Sequence, residues 1–119
     1  MARASLKDPT HLYQTLRTAD HAVRPGFGIH EMELGPDQIV PWHLHSTISD
    51  TFYVLSGSLR LRLREPDETL ILAPTDSHKV DADRPHQVEN AGDGPVTFLI
   101  LQGVGDYDYV PLDQDSAAT

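Results

Sequence analysis

A chain of 119 residues amounts to one domain and is too short for two. Eighteen acidic residues against nine basic ones leave a formal charge of −9, which argues against a nucleic-acid partner, because phosphate contacts need clustered Lys and Arg. Cysteine is absent, so disulfides, thiolate nucleophiles and thiolate metal sites are excluded. No apolar run approaches the ~20 residues of a membrane helix and no hydrophobic leader opens the chain. The expectation is a soluble, cytoplasmic protein with no membrane partner.

Residues 1–26 read as an N-terminal extension. Asp8 and Pro9 either cap a short helix carrying Leu12, Tyr13 and Leu16 on one side, or belong to an arm laid on a neighbouring subunit. From there Gly and Pro punctuate short runs with period-two alternation. Strands are predicted over 28–34, 39–45, 51–55, 59–64, 70–72, 86–89 and 96–101. The clearest is Leu59-Arg60-Leu61-Arg62-Leu63-Arg64, with every Leu on one face and every Arg on the other. Gly57 supplies a positive φ to the hairpin before it, and Glu65-Pro66-Asp67-Glu68 turns the chain after it. Such spacing predicts an all-β antiparallel sandwich or barrel. The segment Gly103–Pro111, with two glycines and two tyrosines, either folds over a barrel mouth or packs along the outside. Residues 112–119 read as a frayed polar tail.

The histidines carry the chemistry. His43 and His45 sit at i and i+2 of a predicted strand, so their side chains share a face about 6.5–7 Å apart. If Ser46-Thr47-Ile48-Ser49 reverses the chain, Asp50 returns beside them with a carboxylate. His86 opens another predicted strand. Three imidazoles and one carboxylate suit a divalent transition metal: Fe, Mn, Ni, Cu or Zn.

This ensemble resembles the cupins. Their first motif, G-x5-H-x-H-x3,4-E-x6-G, is matched in spacing by His43-x-His45-x4-Asp50-x6-Gly57. The end of their second, G-x5-P-x-G-x2-H-x3-N, is matched by His86-x3-Asn90. The likeness spans residues 27–102. It implies an antiparallel double-stranded β-helix, a jelly-roll barrel over residues 27–111. It further implies His43, His45, Asp50 and His86 as metal ligands, a structural Asn90 and a homodimer. The sequence departs from the pattern at five positions. Asp37 stands for the opening glycine and Asp50 for the glutamate, while Thr75, Asp81 and Asp83 replace the Gly, Pro and Gly of the second motif.

The resulting expectation is a small metal-dependent enzyme of dioxygenase, isomerase or lyase type, acting on a small oxygen-rich organic molecule. The alternatives are a non-catalytic domain that binds or senses a small molecule, and a barrel whose metal is structural or absent. Parity puts His30, Phe52 and Val54 on the inner face as substrate-pocket candidates, His30 as a substrate contact or an extra base, with core packing the competing role for all three. Trp42 falls on the opposite face from the histidine pair, against a second sheet or a subunit. Arg60, Arg62 and Arg64 read as a solvated strand face balanced by Glu65, Asp67 and Glu68. His11, His21 and His78 fall in predicted loops and receive no role. No P-loop, nucleophile elbow or dinucleotide fingerprint competes.

Overall fold

The computed structural model describes residues 4–114. A single 3-10 turn, Thr10–Leu12, replaces the predicted short helix, with Asp8 accepting hydrogen bonds from the Thr10 amide and hydroxyl. Ten strands follow: β1 Arg17–Arg24, β2 Phe27–Leu34, β3 Ile39–Leu44, β4 Ser49–Ser56, β5 Leu59–Leu63, β6 Glu68–Leu72, β7 Ser77–Val80, β8 His86–Asn90, β9 Val96–Gly103 and β10 Val110–Pro111. They form two five-stranded antiparallel sheets, β1-β2-β9-β4-β7 and β10-β3-β8-β5-β6. This is the expected jelly roll. No helix among the described residues is long and apolar enough to cross a membrane.

Alternation places the core. Leu59, Leu61 and Leu63 point into the sandwich from one sheet, while Val96, Phe98 and Ile100 meet them from the other. The arginines between the leucines face outward, as predicted, but their balancing acid is Glu89 on β8, which pairs with Arg60 and Arg62. Arg64 lies over the Trp42 ring, 3.7 Å from its centroid. The Gln114 side chain holds the Trp42 backbone, donating to its carbonyl and accepting from its amide. Trp42 is thus covered from within its own chain.

Two departures from the predicted organisation matter for the site. The first sheet starts at Arg17, within the segment read as an extension, so His21 lies on a strand; His78 does too, on β7. The link from β3 to β4 is also no hairpin. It crosses from one sheet to the other, so Asp50 faces the histidines across the sandwich interior.

The turn glycine is where the sequence placed it. Gly57 has φ 83°, and a Cβ there would lie 2.5 Å from the Pro95 carbonyl oxygen and 2.8 Å from the Val96 Cα. Both obstacles are backbone and cannot rotate away. Left-handed strain and the clash together are expected to cost Gly57→Ala about 3 kcal/mol in denaturant unfolding. Gly94→Ala, with nothing within 4 Å of the new methyl, serves as the near-neutral control. Thr75 and Asp83, at the glycine positions of the second motif, adopt φ of 75° and 67°. The turns therefore survive without glycine, at the steric cost such residues carry.

Candidate metal centre

His43 reaches the interior because β3 is bulged. Between the pairs Val40↔Val88 and His43↔His86, β3 advances three residues while β8 advances two. The extra residue turns Trp42 outward and lets both Val40 and His43 point inward. The bulge also aims the Pro41 carbonyl at His43 Nδ1, 2.7 Å away. His86 Nδ1 donates to the Arg84 carbonyl at 2.9 Å, and His45 Nδ1 donates to the carbonyl of Asp108. Each Nδ1–H is therefore committed to a backbone oxygen, which leaves Nε2 as a bare lone pair on all three rings.

Those lone pairs converge on Asp50. Its Oδ2 lies 2.9 Å from His45 Nε2 and 3.3 Å from His86 Nε2. Donor atoms from His43, His45, Asp50 and His86 all fall within 4.8 Å of one another, and all four residues are buried. Two cis ligands each ~2.1 Å from one octahedral ion stand ~3.0 Å apart, so the observed separations suit a first-row cation. The shorter aspartate reaches the group without help. A lone pair 2.9 Å from a carboxylate oxygen also needs a proton or a cation between them.

The electrostatics agree. Burial disfavours charge on His43, reinforced by His86 and His45, and holds its pKa well below the ordinary imidazole value. Burial also opposes charge on His45, but the Asp50 carboxylate and the Asp108 carbonyl outweigh it and raise its pKa. For Asp50 the cost of burial is overcome by His45 and His86, which hold its carboxyl far below the usual range. The pocket is built for a carboxylate beside positive charge.

Gly103–Pro111 closes over this centre instead of lying along the outside. Tyr109 stacks on His43, centroids 4.2 Å apart, and the Tyr107 ring sits 5.4 Å from that of His45. Asp108 ties the segment down, accepting from the Ser46 amide at 2.8 Å and from its hydroxyl at 2.6 Å. Burial pushes the Tyr107 phenol well above its usual pKa, with Tyr13 and Asp50 adding to it, so it stays a neutral donor.

Beside the centre lies a cavity of about 580 Å3 lined by β1, β2, the end of β9 and the two tyrosine-bearing segments. Gln102 and Tyr107 border both. Gln102 lines the cavity and donates to Asp50 Oδ1 at 2.9 Å. Sequence reasoning passed over Gln102, although a signal existed: it is the one polar residue in the inward series Val96, Phe98, Ile100, Gln102. Of the pocket candidates, His30 lines the cavity. Phe52 is buried, its ring 6.1 Å from His86 and 6.0 Å from Phe98, and Val54 lies in the apolar core.

Asn90 is structural. Its Nδ2 donates to the Leu34 and Gly94 carbonyls and its Oδ1 accepts from the Gly92 amide. Asn90→Ala leaves the buried Leu34 carbonyl without this partner and is expected to lower unfolding free energy by about 2 kcal/mol. Metal content measured on the same variant should not change.

Comparison with known proteins agrees with this picture. The Cupin domain family model matches residues 30–102. No curated protein matches the chain. Among solved structures, a conserved double-stranded β-helix protein from Klebsiella pneumoniae superposes with a TM-score of 0.71 at 16% identity, covering 91% of each chain. A putative sugar phosphate isomerase from Acidithiobacillus ferrooxidans is 26% identical, with a TM-score of 0.62 over 77% of this chain and 58% of that one. The Cupin_2 domain of an XRE family transcriptional regulator from Enterobacter cloacae is 21% identical, with a TM-score of 0.63 over 78% of this chain and all of that one. Motif spacing, strand topology, a buried His/Asp cluster and a matching family model lead to one conclusion: this chain belongs to the cupins, in the family described as Cupin domain.

Proposed function

We propose that His43, His45, Asp50 and His86 hold one divalent transition metal, and that the chain is a small metal-dependent enzyme acting on an oxygen-rich organic molecule. One observation carries this reading. Three Nε2 lone pairs, each fixed by a carbonyl behind it, converge with a buried carboxylate beside a cavity of about 580 Å3. A cation there would supply Lewis acidity, or a site for O2, toward a molecule with adjacent oxygens. The chain's own residues supply the rest. Gln102 holds Asp50 in orientation from the cavity side, and Tyr107 offers a neutral phenol to a bound oxygen. Met32, Ile48 and Ile100 give the cavity an apolar wall that excludes water from part of the bound molecule.

The isomerase likeness favours catalysis, whereas the likeness to a regulator's domain favours binding without turnover. Tyr107, Gln102 and His30 facing one cavity support the first. Elemental analysis of untagged, chelator-free protein should find about one transition-metal ion per chain, lost in His43→Ala/His86→Ala. Metal-replete preparations that hold none and bind none on titration would overturn the metal centre. Tight binding of a chelating compound without turnover would favour the sensing role.

A further inference from the structure

A second group of chemistry-bearing residues faces the same cavity from the other side. On β1 and β2, Asp20 and His30 are register partners, and His30 Nδ1 lies 2.7 Å from Asp20 Oδ1. An ionised carboxylate only accepts, so Nδ1 carries the proton and Nε2 is left as a lone pair. Nε2 has no hydrogen-bond partner among the described residues. The strand is irregular at this point. The register shifts between Asp20 and Ala22, making His21 the extra residue, so Asp20 and Val23 both line the cavity while His21 pairs with Glu31. Bulges of this kind re-aim a side chain.

The ring is also placed along the strand. His30 folds back over Gly28, and a Cβ at Gly28 would lie 2.6 Å from His30 Nε2. Gly28 heads the register row Gly28–Gln102–Asp50, which runs across β2, β9 and β4. Nε2 therefore sits above the row that ends at the metal-ligand carboxylate, two strand spacings or about 10 Å away. A molecule of a few heavy atoms fills that gap.

We infer that the Asp20–His30 dyad is the proton-transferring group of this cavity, working on a hydroxy-carbonyl compound held between it and the metal centre. The inference rests on the reading of that centre proposed above. In the step, His30 Nε2 takes the proton from the carbon next to the carbonyl. The C–H electron pair delocalises onto the carbonyl oxygen, and Asp20 neutralises the imidazolium. Return of the proton to the same carbon, or to the former carbonyl carbon as the hydroxyl proton passes to the enolate oxygen, restores a neutral ring.

The test uses the metal-loaded full chain with dihydroxyacetone in D2O, following loss of the carbon-bound proton by NMR. Wild type should exchange measurably, His30→Gln at least 100-fold more slowly and Asp20→Asn about 10-fold more slowly. Gly28→Ala should behave like His30→Gln, because its methyl displaces only a side chain that can rotate. All variants should keep their metal and their circular dichroism. Exchange that is absent from wild type, or undiminished in His30→Gln, overturns the dyad while leaving the metal centre intact; failure to bind metal overturns the centre first. Nitrogen-15 NMR of His30 is a second test that needs no ligand, since a proton on Nε2 and none on Nδ1 in the neutral ring would refute the dyad.

Discussion

Chelation is expected to strip about 3–4 kcal/mol of stability from the metal-replete protein, the linkage expected for a ligand present at 100–1,000 times its Kd. The site explains why the effect is large. The four proposed ligands are each no more than 3% exposed, so little water is at hand to replace the cation. Asp50 would remain facing two imidazole lone pairs at 2.9 and 3.3 Å, and only a proton could relieve that contact. His43→Ala/His86→Ala, lacking two imidazoles, should show no difference in thermal unfolding with or without chelator.

Asp50→Asn separates the metal from the packing. The amide nearly matches the carboxylate in shape, and its NH2 group can donate to the His45 Nε2 lone pair without a cation. This variant should therefore be at least as stable as chelated wild type, hold metal at least 100-fold more weakly and lose most of the stability difference that chelator makes in wild type. If Asp50→Asn instead bound metal as tightly as wild type, the carboxylate would be no ligand.

Sequence legibility followed local periodicity. The Leu59–Leu63 alternation, the Gly57 turn and the spacing of His43, His45, Asp50 and His86 depend on near neighbours, so they could be read directly. β1 shows no alternation because it is an edge strand: Arg17-Thr18-Ala19-Asp20-His21-Ala22-Val23-Arg24 borders water on one face and the open cavity on the other, so neither face is packed against a core. β7 is four residues long and carries a single buried apolar side chain, Val80. The sheet-to-sheet crossing of Ser46–Ser49 and the closure of Tyr107 and Tyr109 over the histidines depend on contacts some 60 residues apart, such as Ser46 with Asp108. Trp42 has a similar history. Its exclusion from the histidine face was legible from parity, but its cover of Arg64 and Gln114 arises only from tertiary structure.

Phe98→Ala should be the most destabilising single core substitution of an aromatic residue, costing about 3–5 kcal/mol in denaturant unfolding. Phe98 is fully buried on β9, which β2 and β4 flank on either side, so no edge can move in to fill the space. Against a typical total of about 5–15 kcal/mol, this loss leaves a marginal fold. The consequence also reaches the metal centre. Phe98 packs on Phe52, centroids 6.0 Å apart, and the Phe52 ring meets His86 edge-on at 6.1 Å. Removing Phe98 frees Phe52 to tilt, and His86 loses the wall that fixes its ring plane against the pull of the Arg84 carbonyl. Metal affinity should fall along with stability, whereas Phe98→Leu, which keeps most of the volume, should retain both more nearly. Unfolding curves and metal titrations on the two variants check this together. Equal metal affinity in Phe98→Ala and wild type would show that the Nδ1 bond to Arg84 holds His86 without the aromatic buttress.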